Sequence, residues 1–217
     1  MAPAGAHLLE EIVMFTGLIE ALAPLRSLNA NGAGWRLQLA VRWPDSEPTG
    51  LGDSIAVNGC CLTVVARDCE PDAELLDFEL SPETLARTAF SLLHPGDPVN
   101  CERAAKLGQR MGGHLVTGHI DGVIDLVQIT ETAGFFDVHY AVPAELAAEL
   151  VVKGSVAIDG VSLTVNALPV GQLHVTVIPH TVAHTQLLVG GTGKRAHIET
   201  DLIAKHVRRL VELGRAG

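Results

Sequence analysis

The chain contains one stretch twice, at an offset of 101 residues. Residues 53–65 read DSIAVNGCCLTVV and residues 154–166 read GSVAIDGVSLTVN, so that Ser54 aligns with Ser155. Each copy places apolar residues on both sides of a turn dipeptide, Asn-Gly in the first and Asp-Gly in the second. These dipeptides favour tight β-hairpins, because both central residues of a type I′ turn have positive φ. We therefore predict a hairpin at the same place in each copy.

The repeat extends beyond the hairpins. Upstream, TGLIEALAPL from residue 16 aligns with TGHIDGVIDL from residue 117 at the same offset. Downstream, Pro82 aligns with Pro179 at an offset of 97, which indicates that one connecting loop differs in length. The chain is therefore two tandem units of about 100 residues each, a period too long for a solenoid and typical of a duplicated small domain.

Composition indicates a globular protein and excludes several other classes. Apolar residues make up 47% of the chain and charged residues 18%, which is unlike a disordered chain. Aromatic residues are only 4%, so Val, Leu and Ala must fill the cores. The formal net charge of −10 argues against non-specific binding to nucleic acid or to anionic membranes. No apolar run approaches the length of a membrane span.

The cysteines indicate a reducing compartment. The four are Cys60, Cys61, Cys69 and Cys101, and they include no CxxC pair. Cys60 and Cys61 are adjacent, and neighbours on a strand point to opposite faces. We expect neither a disulfide framework nor a zinc site, and the cytoplasm as the compartment. Residues 1–13 precede the repeat and lack the basic start of a signal peptide, so they are an extension or an alternative start.

Strand patterns dominate both units. Apolar and polar residues alternate with a period of two in several stretches, which predicts half-buried strands. These stretches are residues 35–41, 76–80, 136–142 and 173–177. Short helices are predicted at residues 83–91, 144–151 and 181–188. Short strands separated by Gly, Pro and Asn turns are typical of a small closed β-barrel, and residues 101–110 are the expected bridge between two of them.

The tail has a helical pattern instead. Between residues 201 and 213, Ile203, Val207 and Leu210 fall along one face. Thr200 or Asp201 is the predicted cap at the start, and Gly214 is the predicted stop. The apolar stripe is wider than one small barrel needs. Two interpretations are equally favoured: a helix that covers the end of its own barrel, and an oligomerisation helix.

Six segments of the chain, taken in order, resemble the signatures of one known family. They read MFTGLIE, SIAVNGCCLTV, NCERA, RMGGHLVTGHIDG, GSVAIDGVSLTVN and IPHTVAHT. Together they resemble riboflavin synthase of the alpha-chain type, over residues 14–207. The resemblance implies an all-β fold of two tandem six-stranded Greek-key β-barrels with a C-terminal α-helix. The implied domains are an N-terminal extension (1–13), two lumazine-binding barrels (14–110 and 111–200) and an oligomerisation helix (201–217).

The resemblance also implies a transferase activity. Riboflavin synthase converts two molecules of 6,7-dimethyl-8-ribityllumazine, by transfer of a four-carbon unit, into riboflavin and 5-amino-6-ribitylaminouracil, and it needs no metal or redox cofactor. The implied assembly is a homotrimer, and association with lumazine synthase is left open. The alternative is a pure binding module, like the lumazine-carrying fluorescent proteins of the same fold. A split-barrel flavin oxidoreductase would need a nicotinamide site, and the sequence contains no GxGxxG.

Loop backbone and short hydroxyl side chains suit the uracil-like edge and the ribityl hydroxyls of a lumazine. By resemblance, the pocket of the first unit comprises Gly17, Leu18, Ile19, Cys61, Leu62, Thr63, Glu79, Leu80, Ser81, Pro82, Glu83 and Thr84. The pocket of the second unit comprises Gly118, His119, Ile120, Lys153, Ser162, Leu163, Thr164, Val177, Ile178, Pro179, His180, Thr181 and Val182. The two sets align through the repeat. We therefore expect one pocket in each unit, as a reaction between two substrates requires.

The two copies differ where chemistry is expected, and the second is richer in groups that transfer protons or attack carbon. The catalytic candidates are His119, Ser162, Thr164 and Asp201 in the second unit, with Cys61, Ser54 and Phe15 in the opposed pocket. Simpler roles remain open for several of them. Cys61 is suited to be a small buried apolar residue. Ser162 and Thr164 can bond to nearby backbone, and His114 and His119 to loop carbonyls.

Two further histidine features stand out. His180 and His184 are four residues apart, like a metal-binding pair on a helix. Their counterparts in the first unit, Glu83 and Arg87, predict an i,i+4 ion pair instead, and no third ligand is evident, so we expect no metal site. His197 departs from the family pattern, which usually has Asn at this position of the last strand.

Overall fold

Each unit folds into a closed barrel of six antiparallel strands in the computed structural model, which describes residues 13–215. The first barrel consists of β1 (Ala21–Asn31), β2 (Gly34–Val41), β3 (Ser54–Val57), β4 (Cys60–Glu70), β5 (Ala73–Leu80) and β6 (Pro98–Arg103). The second consists of β7 (Gly122–Thr132), β8 (Phe135–Ala141), β9 (Ser155–Ile158), β10 (Val161–Ala167), β11 (Gln172–Val177) and β12 (Arg195–Thr200). The helices are α1 (Pro82–Arg87), α2 (Ala144–Ala147), α3 (Pro179–His184) and α4 (Leu202–Arg215).

Both barrels have the same circular strand order. It is β1-β2-β5-β4-β3-β6 in the first and β7-β8-β11-β10-β9-β12 in the second. This is a Greek-key order, because β5 rather than β3 follows β2. The predicted fold class is therefore confirmed.

Alternation along the strands gives each barrel a core of its own. Leu76, Phe78 and Leu80 of β5 are buried while the residues between them are more exposed. The second core is built in the same way, and its largest side chain is the fully buried Tyr140. Because one face of every strand is committed to these cores, the opposite face is available for contacts between the barrels and with ligands.

The two predicted hairpin turns pack against each other between the barrels. Asn58 and Asp159 have positive φ (43° and 45°), as do the glycines that follow them, so both predicted turns are confirmed. A Cβ atom on Gly59 would lie 2.6 Å from the backbone nitrogen of Gly160. Glycine is thus required for the turn and for the close approach of the two units.

A third apolar cluster lies between the barrels. It contains Phe15 and Val116, which form an antiparallel bridge, together with Ala56 and Ala157. Phe15 N–H donates to Val116 O at 2.7 Å, and Val116 N–H donates to Phe15 O at 3.1 Å. The segment before each barrel is therefore paired with the segment before the other.

The short helices end earlier than predicted. The helices expected to reach residues 91, 151 and 188 end at Arg87, Ala147 and His184. In α1 and α3 the next residue is a threonine with extended backbone, Thr88 or Thr185, whose hydroxyl donates to the carbonyl four residues earlier at 2.6–2.7 Å. This bond satisfies a terminal carbonyl of the helix and turns the chain away.

The connection between the barrels is shifted from the predicted bridge. The bridge was expected at residues 101–110, but its first three residues belong to β6. The connection begins at Ala104, whose N–H donates to Ser54 O at 3.2 Å. Residues 1–12 of the expected extension lie outside the described residues.

The boundaries of α4 differ from the prediction at one end. Asp201 Oδ1 accepts the N–H of Ile203 at 2.8 Å, so Asp201 caps the helix as predicted. The expected stop at Gly214 is wrong, because Gly214 does not adopt positive φ and the helix continues to Arg215. Across residues 13–215, no helix is both long and apolar enough to cross a membrane.

Charged side chains attach α4 to the second barrel. Lys205 Nζ lies 2.6 Å from the Asp121 carboxylate, and Arg208 Nη1 lies 3.0 Å from that of Glu149. The apolar stripe faces away from these contacts and is more than half exposed: 65% for Ile203, 53% for Val207 and 69% for Leu210. The stripe therefore does not cover the barrel to which the helix belongs.

Candidate functional site

A buried glutamate holds one loop in each unit. Glu102 on β6 accepts hydrogen bonds from Thr16 N–H (2.6 Å), Thr16 Oγ1–H (2.7 Å) and Gly17 N–H (3.0 Å). Burial raises the pKa of Glu102 to about 7, and the three hydrogen bonds act in the opposite direction. Glu199 on β12 holds the equivalent loop, residues 117–118, through the same three bonds at 2.7–2.9 Å. The two Thr-Gly loops are thus fixed in the same way.

Each Thr-Gly loop reaches the barrel of the other unit. Gly17 O accepts the N–H of Ser162 on β10 at 2.8 Å, and Gly118 O accepts the N–H of Cys61 on β4 at 2.9 Å. Only glycine permits these contacts. A Cβ on Gly17 would lie 2.6 Å from Cβ of Ser162, and a Cβ on Gly118 would lie 2.5 Å from that of Cys61. The two units therefore exchange their loops.

The residues that follow each glycine continue the exchange. Ile19 packs against the core of the second barrel, and Ile120 packs against the core of the first. Our grouping of residues 17–19 with the first unit's pocket and residues 118–120 with the second unit's pocket is therefore wrong. The repeat shows which segments are equivalent, but it carries no information about which copy each segment contacts.

Two composite regions result, one at each barrel. Pairing of β4 with β5 brings residues 79–84 beside residues 61–63, and loop 118–120 completes this region. Pairing of β10 with β11 brings residues 177–182 beside residues 162–164, and loop 17–19 completes that one. Four of the nominated residues point into the barrel cores, so only their backbone can face a ligand. They are Leu62, Leu80, Leu163 and Val177.

A histidine that we did not nominate for catalysis contacts Ser162. His114 Nδ1 lies 2.7 Å from Ser162 Oγ, and the ring is almost fully buried. Burial lowers the pKa of His114, while the Asp201 carboxylate acts to raise it. Sequence reasoning assigned His114 only a loop carbonyl as partner. The available signal was the Gly112-Gly113 pair before it, which allows an unusually close backbone approach.

Comparison with known proteins decides the family. A family model described as lumazine binding domain matches residues 16–104 and 117–201. The riboflavin synthase of Mycobacterium bovis is 41% identical over 202 residues, covering 91% of this chain and 98% of the relative. Those of Photobacterium phosphoreum and Bacillus subtilis are 38% and 37% identical, each covering 91% of this chain, and 89% and 90% of the relatives. The chain belongs to the riboflavin synthase family.

Solved structures agree with the fold of this family. A crystal structure of LumP complexed with riboflavin has a TM-score of 0.75 at 23% identity, covering 86% of this chain and 99% of that chain. LumP complexed with 6,7-dimethyl-8-(1'-D-ribityl) lumazine has a TM-score of 0.72 at 24% identity, with the same coverage. At these identities the similarity shows the two-barrel fold and no more.

Within this riboflavin synthase fold, the first unit's catalytic candidates lie in different surroundings. Phe15 is fully buried between the barrels, where its side chain packs in the apolar cluster with Val116, Ala56 and Ala157. Burial raises the pKa of Cys61, and a hydrogen bond from Ser54 opposes this, so the thiol rather than the thiolate is favoured. Ser54 lines a cleft of about 640 Å³ together with Leu18 and Arg103. A ligand can therefore approach Ser54 from solvent.

The remaining second-unit candidates are separated by the loop exchange. Thr164 is exposed on β10, on the same face as Ser162. His119 is exposed, but it lies on the loop that contacts the first barrel through Gly118. Our placement of His119 in one pocket with Ser162 and Thr164 of the same chain is therefore wrong. Lys153 is exposed just before β9, with positive φ (67°).

The histidine pair on α3 does not resemble a metal site. The rings of His180 and His184 are stacked with centroids 4.2 Å apart, and His184 Nδ1–H donates to His180 O at 2.7 Å. Among the residues that the structure describes, no group of three potential metal ligands is present. Glu83 and Arg87 are both exposed on α1, and no ion pair joins them among the residues that the structure describes, so the predicted ion pair is wrong.

Proposed function

We propose that this protein catalyses the dismutation of two 6,7-dimethyl-8-ribityllumazine molecules to riboflavin and 5-amino-6-ribitylaminouracil. The observation that carries the proposal is that the two barrels form equivalent regions, each completed by a Thr-Gly loop. The side chains at equivalent positions of these two regions differ. Where the second has Ser162 and Asp201, the first has Cys61 and Ala104. A dismutation needs two related but unequal sites, because one substrate donates the four-carbon unit and the other receives it.

The ligand class follows from the groups that these regions present. Loop backbone at the two Thr-Gly segments and hydroxyls such as those of Thr63 and Thr164 can hydrogen-bond the pyrimidine edge and the ribityl chain. Crystals of LumP with bound riboflavin and with bound ribityllumazine support this ligand class. No metal or redox cofactor enters the proposal, because oxidation of one lumazine is balanced by reduction of the other.

Roles for the residues are assigned by position. Ser162 and Thr164, with Asp201, serve the pocket of the second barrel, and Cys61 and Ser54 serve that of the first. His119 acts at the pocket that its loop joins. Holding two rings face to face contributes much of the acceleration, since favourable positioning alone is worth about 7 kcal/mol or more.

The active assembly in this proposal is a homotrimer in the cytoplasm. The exposed stripe of Ile203, Val207 and Leu210 supports association through α4, because an uncovered apolar stripe on a helix fits contact with other copies. A first-barrel pocket of one subunit would face a second-barrel pocket of its neighbour. The domain limits at residues 14–110, 111–200 and 201–217 are part of the proposal, and association with lumazine synthase remains open.

One assay tests the function directly. The purified protein is incubated with 6,7-dimethyl-8-ribityllumazine alone, and riboflavin and 5-amino-6-ribitylaminouracil are quantified. Equal amounts of the two products are expected, with two lumazines consumed for each riboflavin. Binding of lumazine without any riboflavin would instead support the alternative, a lumazine-carrying binding module.

A further inference from the structure

A pair of glycines delivers His114 to Ser162. A Cβ on Gly113 would lie 2.0 Å from Thr16 O and 3.1 Å from Ser162 Oγ, and a Cβ on Gly112 would lie 2.7 Å from Leu18 Cδ1. A side chain at Gly113 would push this segment away from the Thr16 backbone, whereas one at Gly112 would only displace the Leu18 side chain. His114 is also held by its backbone, whose N–H donates to Thr16 O at 3.1 Å. The backbone conformation of this segment therefore places the imidazole of His114 2.7 Å from the hydroxyl of Ser162.

The first unit provides an internal comparison for this contact. Through the repeat, Ser162 aligns with Cys61, His114 with Val13 and Asp201 with Ala104. Val13, Cys61 and Ala104 are each partly buried against the apolar cluster between the barrels. The fold therefore accepts an apolar trio at these positions. Packing therefore does not require the polar residues His114, Ser162 and Asp201 of the second unit. The hydrogen bond between His114 and Ser162 is better explained by a role in the reaction.

Electrostatics suits His114 to accept a proton. Its burial favours the neutral imidazole, which has one unprotonated nitrogen able to accept the hydroxyl proton of Ser162. The Asp201 carboxylate at the start of α4 stabilises the imidazolium that would form. Glu102 is a further titratable group near this segment, and its carboxylate accepts hydrogen bonds from the backbone N–H and the hydroxyl of Thr16.

We propose that His114 is a positioning residue that accepts the proton of Ser162 while Ser162 Oγ removes a proton from the lumazine bound at the second barrel. This inference rests on the proposed function and deepens it. A C–H bond of the substrate methyl group breaks, and its electron pair passes into the ring system. A new Oγ–H bond forms as the old one breaks, and Nδ1–H forms on His114. The result is an imidazolium and a substrate anion, so charge is balanced.

The decisive variant is His114→Asn. Asparagine can accept the hydrogen bond of Ser162, but it cannot take up the proton. We expect kcat to fall on the order of 100-fold or more, while riboflavin affinity, measured by fluorescence quenching, changes by less than about threefold. The matched control is His94→Asn, at a histidine with 83% side-chain exposure outside the site; it should leave both quantities unchanged.

The pH profile distinguishes proton transfer from a structural role. In the parent protein kcat should fall on the acidic side as His114 becomes protonated, and this limb should be absent in His114→Asn. Ser162→Ala should lose about as much activity as His114→Asn, and the double variant no more than either one. An unchanged acidic limb, a loss of kcat below about threefold, additive losses, or equal losses of kcat and riboflavin affinity would each overturn the relay. Failure of the proposed function would differ, because the parent protein itself would form no riboflavin.

Discussion

His197 occupies in the second barrel the place that Asn100 occupies in the first. Asn100 Oδ1 accepts the N–H of Gln186 at 2.8 Å, and Asn100 Nδ2–H donates to Asp159 O at 2.8 Å. His197 repeats both bonds with the equivalent partners: Nε2 accepts the N–H of Ala89, and Nδ1–H donates to a carbonyl of the other barrel's hairpin turn, both at 2.8 Å. One imidazole thus reproduces the donor and the acceptor of an amide, and only the neutral tautomer with its proton on Nδ1 can do so.

This arrangement predicts a pH-dependent interface between the barrels. Burial lowers the pKa of His197 below its ordinary value of about 6.5; Asp159 opposes the shift and Lys194 adds to it. As the pH falls below about 6.5, the unfolded chain binds a proton here and the folded chain does not. The stabilisation is therefore present above about pH 6.5 and is lost progressively below it.

The test compares His197→Asn with the parent protein. Relative to the parent protein, the denaturant midpoint of the variant should be higher at pH 5.5 than at pH 8, because Asn keeps both bonds and does not titrate. His114, whose lowered pKa contributes with the same sign, and Glu102, whose raised pKa contributes with the opposite sign, titrate in both proteins, so the comparison isolates the share of His197. An identical difference between the two midpoints in both proteins would contradict this account.

The exchanged loops predict a large effect at Gly17. Alanine there meets Ser162 Cβ at 2.6 Å and must also adopt a φ of 76°. The positive φ should lower the unfolding free energy by about 1–2 kcal/mol. The steric contact with Ser162 should lower it by a further amount of about 1–3 kcal/mol. Gly32→Ala is the matched control, since Gly32 has a φ of 59° and no atom within 4 Å of the new Cβ. We expect Gly17→Ala to lose clearly more unfolding free energy than Gly32→Ala, and to lose turnover as well; equal losses would mean that the contact with Ser162 is unimportant.

The stripe on α4 predicts the effect of charge at its centre. Val207→Asp combined with Leu210→Asp should dissociate the assembly in sedimentation velocity, because burying two carboxylates between helices is unfavourable. Arg209→Asp, on the same helix but off the stripe, serves as the control and should leave the assembly intact. Persistence of the proposed homotrimer in the double variant would exclude α4 as its contact.

The repeat and the strand patterns predicted hairpins in two small barrels, and the family resemblance supplied the six-stranded Greek-key order, but neither predicted how the site is assembled. Hairpins, barrels and the equivalence of the units follow from local patterns and turn residues, which act within a few positions of one another. The loop exchange does not, because a repeat is symmetric with respect to which copy contacts which. His114 was not predicted as a site residue for a related reason. Its counterpart in the first unit is Val13, and its contact with Ser162 depends on the close tertiary approach of Gly112 and Gly113.

The exchange also changes what an excised first unit should do. Residues 14–110 contain the loop that completes the second barrel's region, and they lack loop 118–120, which completes their own. The fragment alone therefore cannot complete the region at its own barrel. Two copies can instead supply each other with residues 16–19, as the two units do in the intact chain.

We therefore predict that the fragment binds riboflavin as a dimer. Ligand fluorescence and sedimentation should show binding that rises with protein concentration in parallel with dimer formation, because association and binding are linked. Turnover should be absent, since the fragment lacks Ser162, His114 and Asp201 themselves. Tight binding by a monomer at all concentrations would show that the first pocket does not need the exchanged loop. Turnover near that of the full chain would refute the account of two unequal pockets.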